Sequence, residues 1–254
     1  RQMNAFDLLC CVVQNEMGGS LSDEALKAQA VAAYTFIKYN NSQGVAPALG
    51  LSTRVNQRVV NAVEAVAGQT VYYNGSIANT VFHSTSCGAT TSAQSVWGRS
   101  VPYLVSVDSE WDSASPYYGG TYSIGADELS QRIWEVYGID VDGLDYEDWI
   151  AVDEERLAPG GYVGAVAVGG YDKGQGGSAG SAAITGRSIR EKLLNFSLRS
   201  TCFDVSWSGD VCTFTTRGYG HGVGMSQYGA HLMAQSGYDY REILRHYYPG
   251  TQIG

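Results

Sequence analysis

The sequence predicts an α+β protein of two lobes, and three observations carry that prediction. Apolar residues recur at helical spacing through the first 67 residues. A strand, an Asn-Gly pair and a second strand follow at 71–84. From residue 123 the texture changes to short β-rich runs that end in another hairpin at 202–216. A chain of 254 residues is long enough to bury one large core or two smaller ones. Its 44% hydrophobic and 16% charged content is that of a folded globular protein, not a disordered one. A net charge of −9 argues against nucleic acid, or an anionic membrane surface, as the main partner. No apolar run approaches the ~18 residues that a membrane span needs.

Phe6, Leu9, Cys10 and Val13 fall at i, i+3, i+4 and i+7, which predicts a first helix that the Gly18-Gly19 pair stops. Glu16 lies in its last turn, four residues on from Val12 and seven on from Leu9. The negative end of the helix dipole and the apolar neighbours both favour the protonated form of its side chain. A carboxylic acid held protonated near neutral pH is what a general acid needs. Ser20 or Ser22 then caps an alanine-rich helix at 23–39, with Asp23 and Glu24 favourably placed in its first turn. Leu26, Ala30, Ala33 and Ile37 form its packing stripe. Lys27 projects from its first turns, so Glu16 and Lys27 are expected to line one crevice. A third helix, 55–67, ends at Gly68.

Asn74-Gly75 between 71–73 and 77–84 is a type I′ hairpin signature, and its second strand is expected to deliver His83, Ser84, Thr85, Ser86 and Cys87. Residues 89–122 read as irregular, polar and aromatic, the character of a binding surface. A helix at 126–137 stops at Gly138. It is followed by an acidic loop (139–161), a strand (162–168), a glycine-rich turn (169–180), a strand (182–185) and a helix (187–195). This block, 121–216, reads as a smaller α+β lobe inserted between two parts, 1–120 and 217–254, of a helix-rich one. A hairpin turning at Ser208-Gly209 sets Val205 opposite Cys212 and Phe203 opposite Phe214. Cys202 then lies on the other face, which predicts no disulfide between Cys202 and Cys212. Cys10 and Cys11 diverge by ~100° on their helix. With five cysteines so arranged, a reducing or anaerobic setting is expected.

The C-terminal part is a glycine-spaced loop, 217–230, running into a helix that ends at Gly237. A last helix, 240–247, stops before Pro249. Glycines at this spacing let backbone N–H groups and His221 approach a ligand closely, although a tight structural turn uses the same residues. The 18 tyrosines and 32 glycines, beside only 6 phenylalanines, suit carbohydrate, because rings stack on sugar faces while hydroxyls bond to them.

Five stretches together resemble the stage II sporulation protein D family, cell-wall lytic transglycosylases that act on peptidoglycan. They are VVQNEMGG with EALKAQAVAAYTF (12–36), FHSTSCGATTSAQSVWG (82–98), PYLVSVDSEWD (102–112), the 162–207 block containing ITGRSIREKLL and LRSTCFDVSW, and GYGHGVGMSQYGAHLMAQSGYDYREILRHYYPGTQI (218–253). The resemblance implies that the helix-rich lobe is catalytic, with a glycan groove between or beside the lobes and Glu16 as general acid and base. It places Lys27, Tyr34, His83, Ser84, Thr85, Ser86, His221, Ser226, Gln227 and Tyr228 along that groove. Tyr34 stands where the family commonly has Arg. The implied substrate is glycan stripped of stem peptides by an amidase of the stage II sporulation protein P type, during engulfment of the forespore. The implied product carries 1,6-anhydroMurNAc ends, and the implied protein is a monomer outside the cytoplasm, tied to the membrane by a helix ahead of these residues.

One acid suffices for that chemistry because the C6 hydroxyl of the sugar attacks its own anomeric carbon, and no cofactor is required. Asp108, Glu110 and Asp112 are the candidate second carboxylates, with loop capping as their structural alternative. Some family members hold zinc beside the active site. His83 and Cys87 supply two ligands, and Cys11, His221, His231 or His246 would have to complete a tetrahedral site. The alternative is a hydrogen-bonding His83 and a small buried Cys87. A second function, from a different class, is an amidase enhancer that binds cell wall without cutting glycan. A cysteine peptidase built on Cys87 and His83 is disfavoured, since no helix N-terminus activates the thiol.

Overall fold

The computed structural model describes residues 3–171 and 183–254. Asn4 caps the first helix, α1 (Ala5–Met17), by accepting from the Asp7 N–H, and Gly18 ends it at φ 68°, a backbone region glycine enters without strain. The second helix, α2 (Asp23–Ser42), buries Ala25, Leu26, Ala28, Ala30, Val31, Ala32 and Ala33. A helix apolar on nearly all sides is a central one. Alanine lets α1, the next helix α3 (Gln57–Ala65) and two C-terminal helices pack directly against it. Ser22 stands at its N-cap, but the Ser22 Oγ bonds to His231 instead of the helix. Phe6, expected on the apolar stripe of α1, is 37% exposed, whereas Leu9, Cys10 and Val13 of that stripe are buried.

The hairpin β1 (Val71–Tyr73) and β2 (Ser76–Ile77) turns at Asn74 and Gly75, both with positive φ, as a type I′ turn requires. Its second strand is shorter than expected. The chain leaves the ladder after Ile77 because Thr80 Oγ1 bonds to the carbonyl of Ala32 on α2. A separate strand, β3 (Phe82–His83), then begins. A short helix, α4 (Ala93–Trp97), interrupts the stretch read as irregular.

The second half of the chain forms β4 (Gly119–Gly125), α5 (Ala126–Tyr137), β5 (Ile150–Val152), β6 (Val166–Val168), α6 (Gly186–Ser188) continuing as a π-helical turn over Ile189–Leu193, β7 (Phe203–Ser208) and β8 (Val211–Arg217). The sheet order is β4-β8-β7, with β5-β6 a separate antiparallel pair. Strand β5 lies inside the stretch expected to be loop, and the strand expected over 162–168 is reduced to its last three residues, Tyr162 making a single bridge to Ala158. The expected glycine-rich turn lies, from residue 172 on, outside the described residues.

The β7–β8 hairpin pairs Val205 with Phe214, Trp207 with Cys212 and Phe203 with Thr216. This is two residues off the expected register. The two-residue loop is Gly209-Asp210, with the positive φ at its first position, as in a type II′ turn. A slip of two returns every side chain to its own face, so Phe203, Val205, Trp207, Cys212 and Phe214 still share one. Cys202 and Cys212 are both free, as are Cys10, Cys11 and Cys87.

The C-terminal part returns to the first core. Strand β9 (Met225–Ser226) pairs in parallel with β3, α7 (Gln227–Gln235) and α8 (Tyr240–Tyr247) pack on α2, and β10 (Gln252–Ile253) pairs with β1. Asp239 and Glu242 close a full capping box on α8. Two hydrophobic clusters result. One runs from Leu9 to Leu104 and from Val223 to Tyr248, the other from Ile124 to Phe214.

Candidate active site

Glu16 sits at the C-terminal end of α1, half-buried, at the wall of a cavity of about 250 Å³. Phe36 of α2, Val81 and Phe82 at β3, Ala48 and Leu49 of the intervening loop, and His221 line the rest. The loop reaches this position because the Ser52 N–H bonds to the Cys11 carbonyl of α1. Among the described residues Glu16 is the one carboxylate in this wall. Its Oε2 accepts a 3.0 Å hydrogen bond from Nε2 of Gln227, a buried residue at the first position of α7. An amide N–H is matched equally by a carboxylate and by the carbonyl oxygen of the neutral acid, so this contact orients Glu16 in both protonation states.

His221 is fixed from two sides. Its Nδ1 accepts from the Val223 N–H at 3.1 Å, which leaves the proton of the neutral ring on Nε2. Burial, with the cations Arg190 and Arg187 adding to it, pulls its pKa down to about 4 against the opposing pull of the Phe82 carbonyl. The ring is therefore neutral at pH 7. Trp97, 39% exposed, lies 5.2 Å from it and also lines a second cavity of about 220 Å³ with Tyr39, Asn79, Arg99 and Tyr103. An exposed indole beside the acid's cavity continues the surface on which a sugar ring can stack.

The other sequence-predicted groove residues sit elsewhere. His83 is 4% exposed; its Nδ1 faces the Val223 carbonyl, which can only accept, so Nδ1 carries the proton. Its Nε2 is buried without a partner, and burial, then His221, pull the pKa down to about 3. Thr85 and Ser86 are buried too, as is Ser226. Ser84 gives its carbonyl to the Tyr228 N–H, and the Tyr228 ring stands against His231. Lys27 pairs with Glu24 at 2.5 Å. Lys27 and Tyr34, seven residues apart, share one face of α2, while Phe36 projects from the opposite face toward Glu16. The crevice shared by Glu16 and Lys27 does not form. Lys38 stands over the Tyr34 ring at 5.3 Å, on the side of α2 that meets Thr70.

What holds Ser86 and Ser226 is a hub the sequence did not disclose. Asp112, fully buried, accepts from the Ser86 N–H at 2.9 Å, the Ser109 Oγ at 2.9 Å and the Ser226 Oγ at 2.8 Å. Ser109 Oγ also bonds to Tyr247 of α8, and Ser226 Oγ caps α7. Desolvation raises the Asp112 pKa, and these hydrogen bonds oppose it. Asp112 thus fixes the start of α7, and with it Gln227. Asp108 and Glu110 are exposed, and neither lines the Glu16 cavity.

The glycine loop serves the same end. Gly218, Gly220, Gly222 and Gly224 all have positive φ, and a Cβ on Gly220 or Gly222 would overlap His83 or the Tyr162 ring. The glycines let this loop pack on the protein itself, and only His221 of the run reaches the Glu16 cavity.

The hydrogen bond from His83 Nδ1–H to the Val223 carbonyl leaves its Nε2 lone pair free for a metal, while the Cys87 thiol donates to the Gly160 carbonyl at 2.9 Å. Among the described residues no three His, Cys, Asp or Glu side chains converge closely enough to hold a metal ion. No described helix is long and apolar enough to cross a membrane.

The family described as "Stage II sporulation protein" matches residues 1–81. The stage II sporulation protein D of Bacillus subtilis (strain 168) is 36% identical over 95% of this chain and 72% of its own length. That of Bacillus amyloliquefaciens is 34% identical over the same shares. A B. subtilis protein named amidase enhancer is 29% identical over 95% of this chain and 39% of its own length.

Proposed function

Because the chain belongs to the stage II sporulation protein D family, we propose that it remodels cell wall in sporulation by cleaving peptidoglycan glycan strands as a lytic transglycosylase, with Glu16 as its acid and base. The observation that carries this reading is a single carboxylate, held by Gln227, in a cavity walled by apolar and aromatic side chains. Two carboxylates flanking the scissile bond are the usual requirement of glycoside hydrolysis. Asp112, the buried one of the three candidates for a second, is fully committed to Ser86, Ser109 and Ser226. A lone acid suits a reaction in which the substrate supplies the nucleophile.

In the proposed reaction the Glu16 carboxylic acid protonates the oxygen linking MurNAc to the following GlcNAc, and the C1–O bond breaks. The GlcNAc leaves with a free 4-hydroxyl. The Glu16 carboxylate then takes the proton of the MurNAc C6 hydroxyl as that oxygen bonds to C1. A 1,6-anhydro ring forms, no water is consumed, and Glu16 is protonated again for the next turnover. Gln227 holds the acid through both proton transfers. Neutral His221 and the exposed Trp97 offer a hydrogen-bonding and a stacking surface to the sugars. The proposed substrate is glycan without stem peptides. The proposed partner is the amidase that removes them, and the proposed setting is the wall outside the cytoplasm.

The similarity to a protein named amidase enhancer supports a second reading, wall binding without cleavage. Digestion of peptide-free glycan strands, read by mass spectrometry, separates the two. Wild type is expected to release anhydroMurNAc ends, and Glu16→Gln to lose at least about 100-fold in rate. Bound but intact glycan with both proteins would leave the enhancer. Reducing ends would instead mean hydrolysis.

A further inference from the structure

The second lobe holds a cavity of about 510 Å³, about twice that at Glu16, which the proposed chemistry does not use. Its walls are two strand edges. Phe203, Asp204, Val205, Ser206 and Trp207 line it as a consecutive run, and so do Ile150, Ala151 and Val152. Successive residues of a strand point to opposite faces of its sheet, so a cavity touching every residue in a row runs along the hydrogen-bonding edge. The topology agrees. Strand β7 ends the order β4-β8-β7, and β5 is paired only with β6, so among the described residues each has an open side. Open edges of this kind are usually blocked by charge, proline or a covering segment, because they template pairing with another chain.

The charge of the cavity says what it would accept. Glu147 and Glu154 stand on its rim, exposed and in no ion pair among the described residues, while Asp204 is matched by Arg217 at 2.6 Å. Two uncompensated carboxylates beside a partly apolar wall (Leu157, Val205, Trp207) favour an occupant carrying both cations and apolar groups. Trp207 is held rigid there by Tyr146, stacked on it at 4.3 Å.

We propose that this groove binds an extended, Lys- or Arg-bearing peptide segment of a partner protein, which pairs as an added strand on the open edge of β7. Where β5 approaches β7 to Cα separations within 8 Å there is no room for a further strand, so the occupant pairs with β7 beyond that approach, and β7, with six residues against the three of β5, extends past it. Backbone pairing supplies affinity, and the rim carboxylates select for positive charge. The inference stands apart from glycan cleavage.

The test is selection of displayed random linear heptapeptides on the intact protein, followed by calorimetric titration of the enriched sequence. Enriched peptides are expected to alternate apolar residues with Lys or Arg. Binding is expected to fall at least ten-fold in the Glu147→Lys/Glu154→Lys variant, with its circular dichroism unchanged. It is also expected to be lost when alternate backbone amides of the peptide are N-methylated, which removes ladder donors while keeping the side chains. Enrichment of neutral or acidic peptides, no enrichment at all, equal binding by the charge-reversed variant, or displacement by peptide-free glycan would each overturn it. None of these readouts requires an active enzyme.

Discussion

Glu16 and its neighbours set the first expectations. Gln227 donates one neutral hydrogen bond to the acid, worth about 1 kcal/mol in position. Gln227→Ala is therefore expected to lower kcat roughly 5-fold with KM nearly unchanged. Gln227→Glu sets a second carboxylate within reach of the first. Two such groups resist ionising together, so the alkaline limb of its pH–rate profile, where the acid loses its proton, is expected at higher pH. An Ala effect on KM alone would mean that Gln227 binds substrate and does not orient the acid. His83 makes a separate prediction for stability. Its folded pKa of about 3 lies below the ordinary 6.5, so between these values the unfolded chain binds a proton that the folded protein does not. Stability is then full above about pH 6.5 and is lost as pH falls toward 3. The loss is about 2 kcal/mol at pH 5 from about 1.5 pH units at 1.36 kcal/mol each. Urea unfolding at pH 7 and pH 5 measures it, and His83→Asn is expected to remove that share of the difference. His221, pulled down to about 4, contributes with the same sign.

The longer helices and the two hairpins were legible because their signals are local. Leu9 to Val13 at helical spacing, the alanines of α2 and Asn74-Gly75 each act within a few residues of themselves. The β3–β9 pair was not, because a two-residue parallel strand has no period and its partner lies more than 140 residues away. Separations of 211 and 114 residues likewise hid Gln227 from Glu16 and Ser226 from Asp112. An Asp in a serine-rich loop looks like any cap until the loop folds back. Glycine was legible as a need but not as a purpose. The run at 218–224 read as room for a ligand, and in the fold it is room for the chain. Gly222 and Gly209 make that distinction measurable, since both have positive φ. A Cβ at Gly209 meets nothing within 4 Å, whereas at Gly222 it would lie 2.4 Å from the Tyr162 ring. Gly209→Ala is expected to cost about 1 kcal/mol, the conformational penalty alone. Gly222→Ala adds a steric overlap and is expected to cost about 3 kcal/mol or more, with loss of glycan cleavage because His221 is its neighbour. Equal costs in urea unfolding would mean that the loop yields and Tyr162 does not hold it.

The molecule as a whole is two hydrophobic clusters with a seam between them, and Tyr162 belongs to that seam. Its chain neighbour Val163 packs in the second cluster. Its own ring, 2% exposed, lies in neither cluster and packs against Gly222, beside the His221 that faces Glu16. Cys87 reaches across to the Gly160 carbonyl, and the Gly220 N–H to the Arg199 carbonyl. Cooperative unfolding of two cores requires that the contacts joining them outweigh the gain from melting the weaker one alone. Removing a buried aromatic ring costs about 3–5 kcal/mol. At the seam that loss falls on the coupling and leaves each core's own packing intact. Wild type is therefore expected to melt as one calorimetric transition and Tyr162→Ala as two, while Tyr162→Phe keeps the ring and the single transition. One of the two transitions of Tyr162→Ala, that of the second cluster, should be accompanied by a change in Trp149 and Trp207 fluorescence, because both indoles pack in that cluster. A single transition in Tyr162→Ala, merely lowered in Tm, would show instead that the two clusters form one cooperative unit. The second lobe would then be part of the platform that holds His221 against the acid.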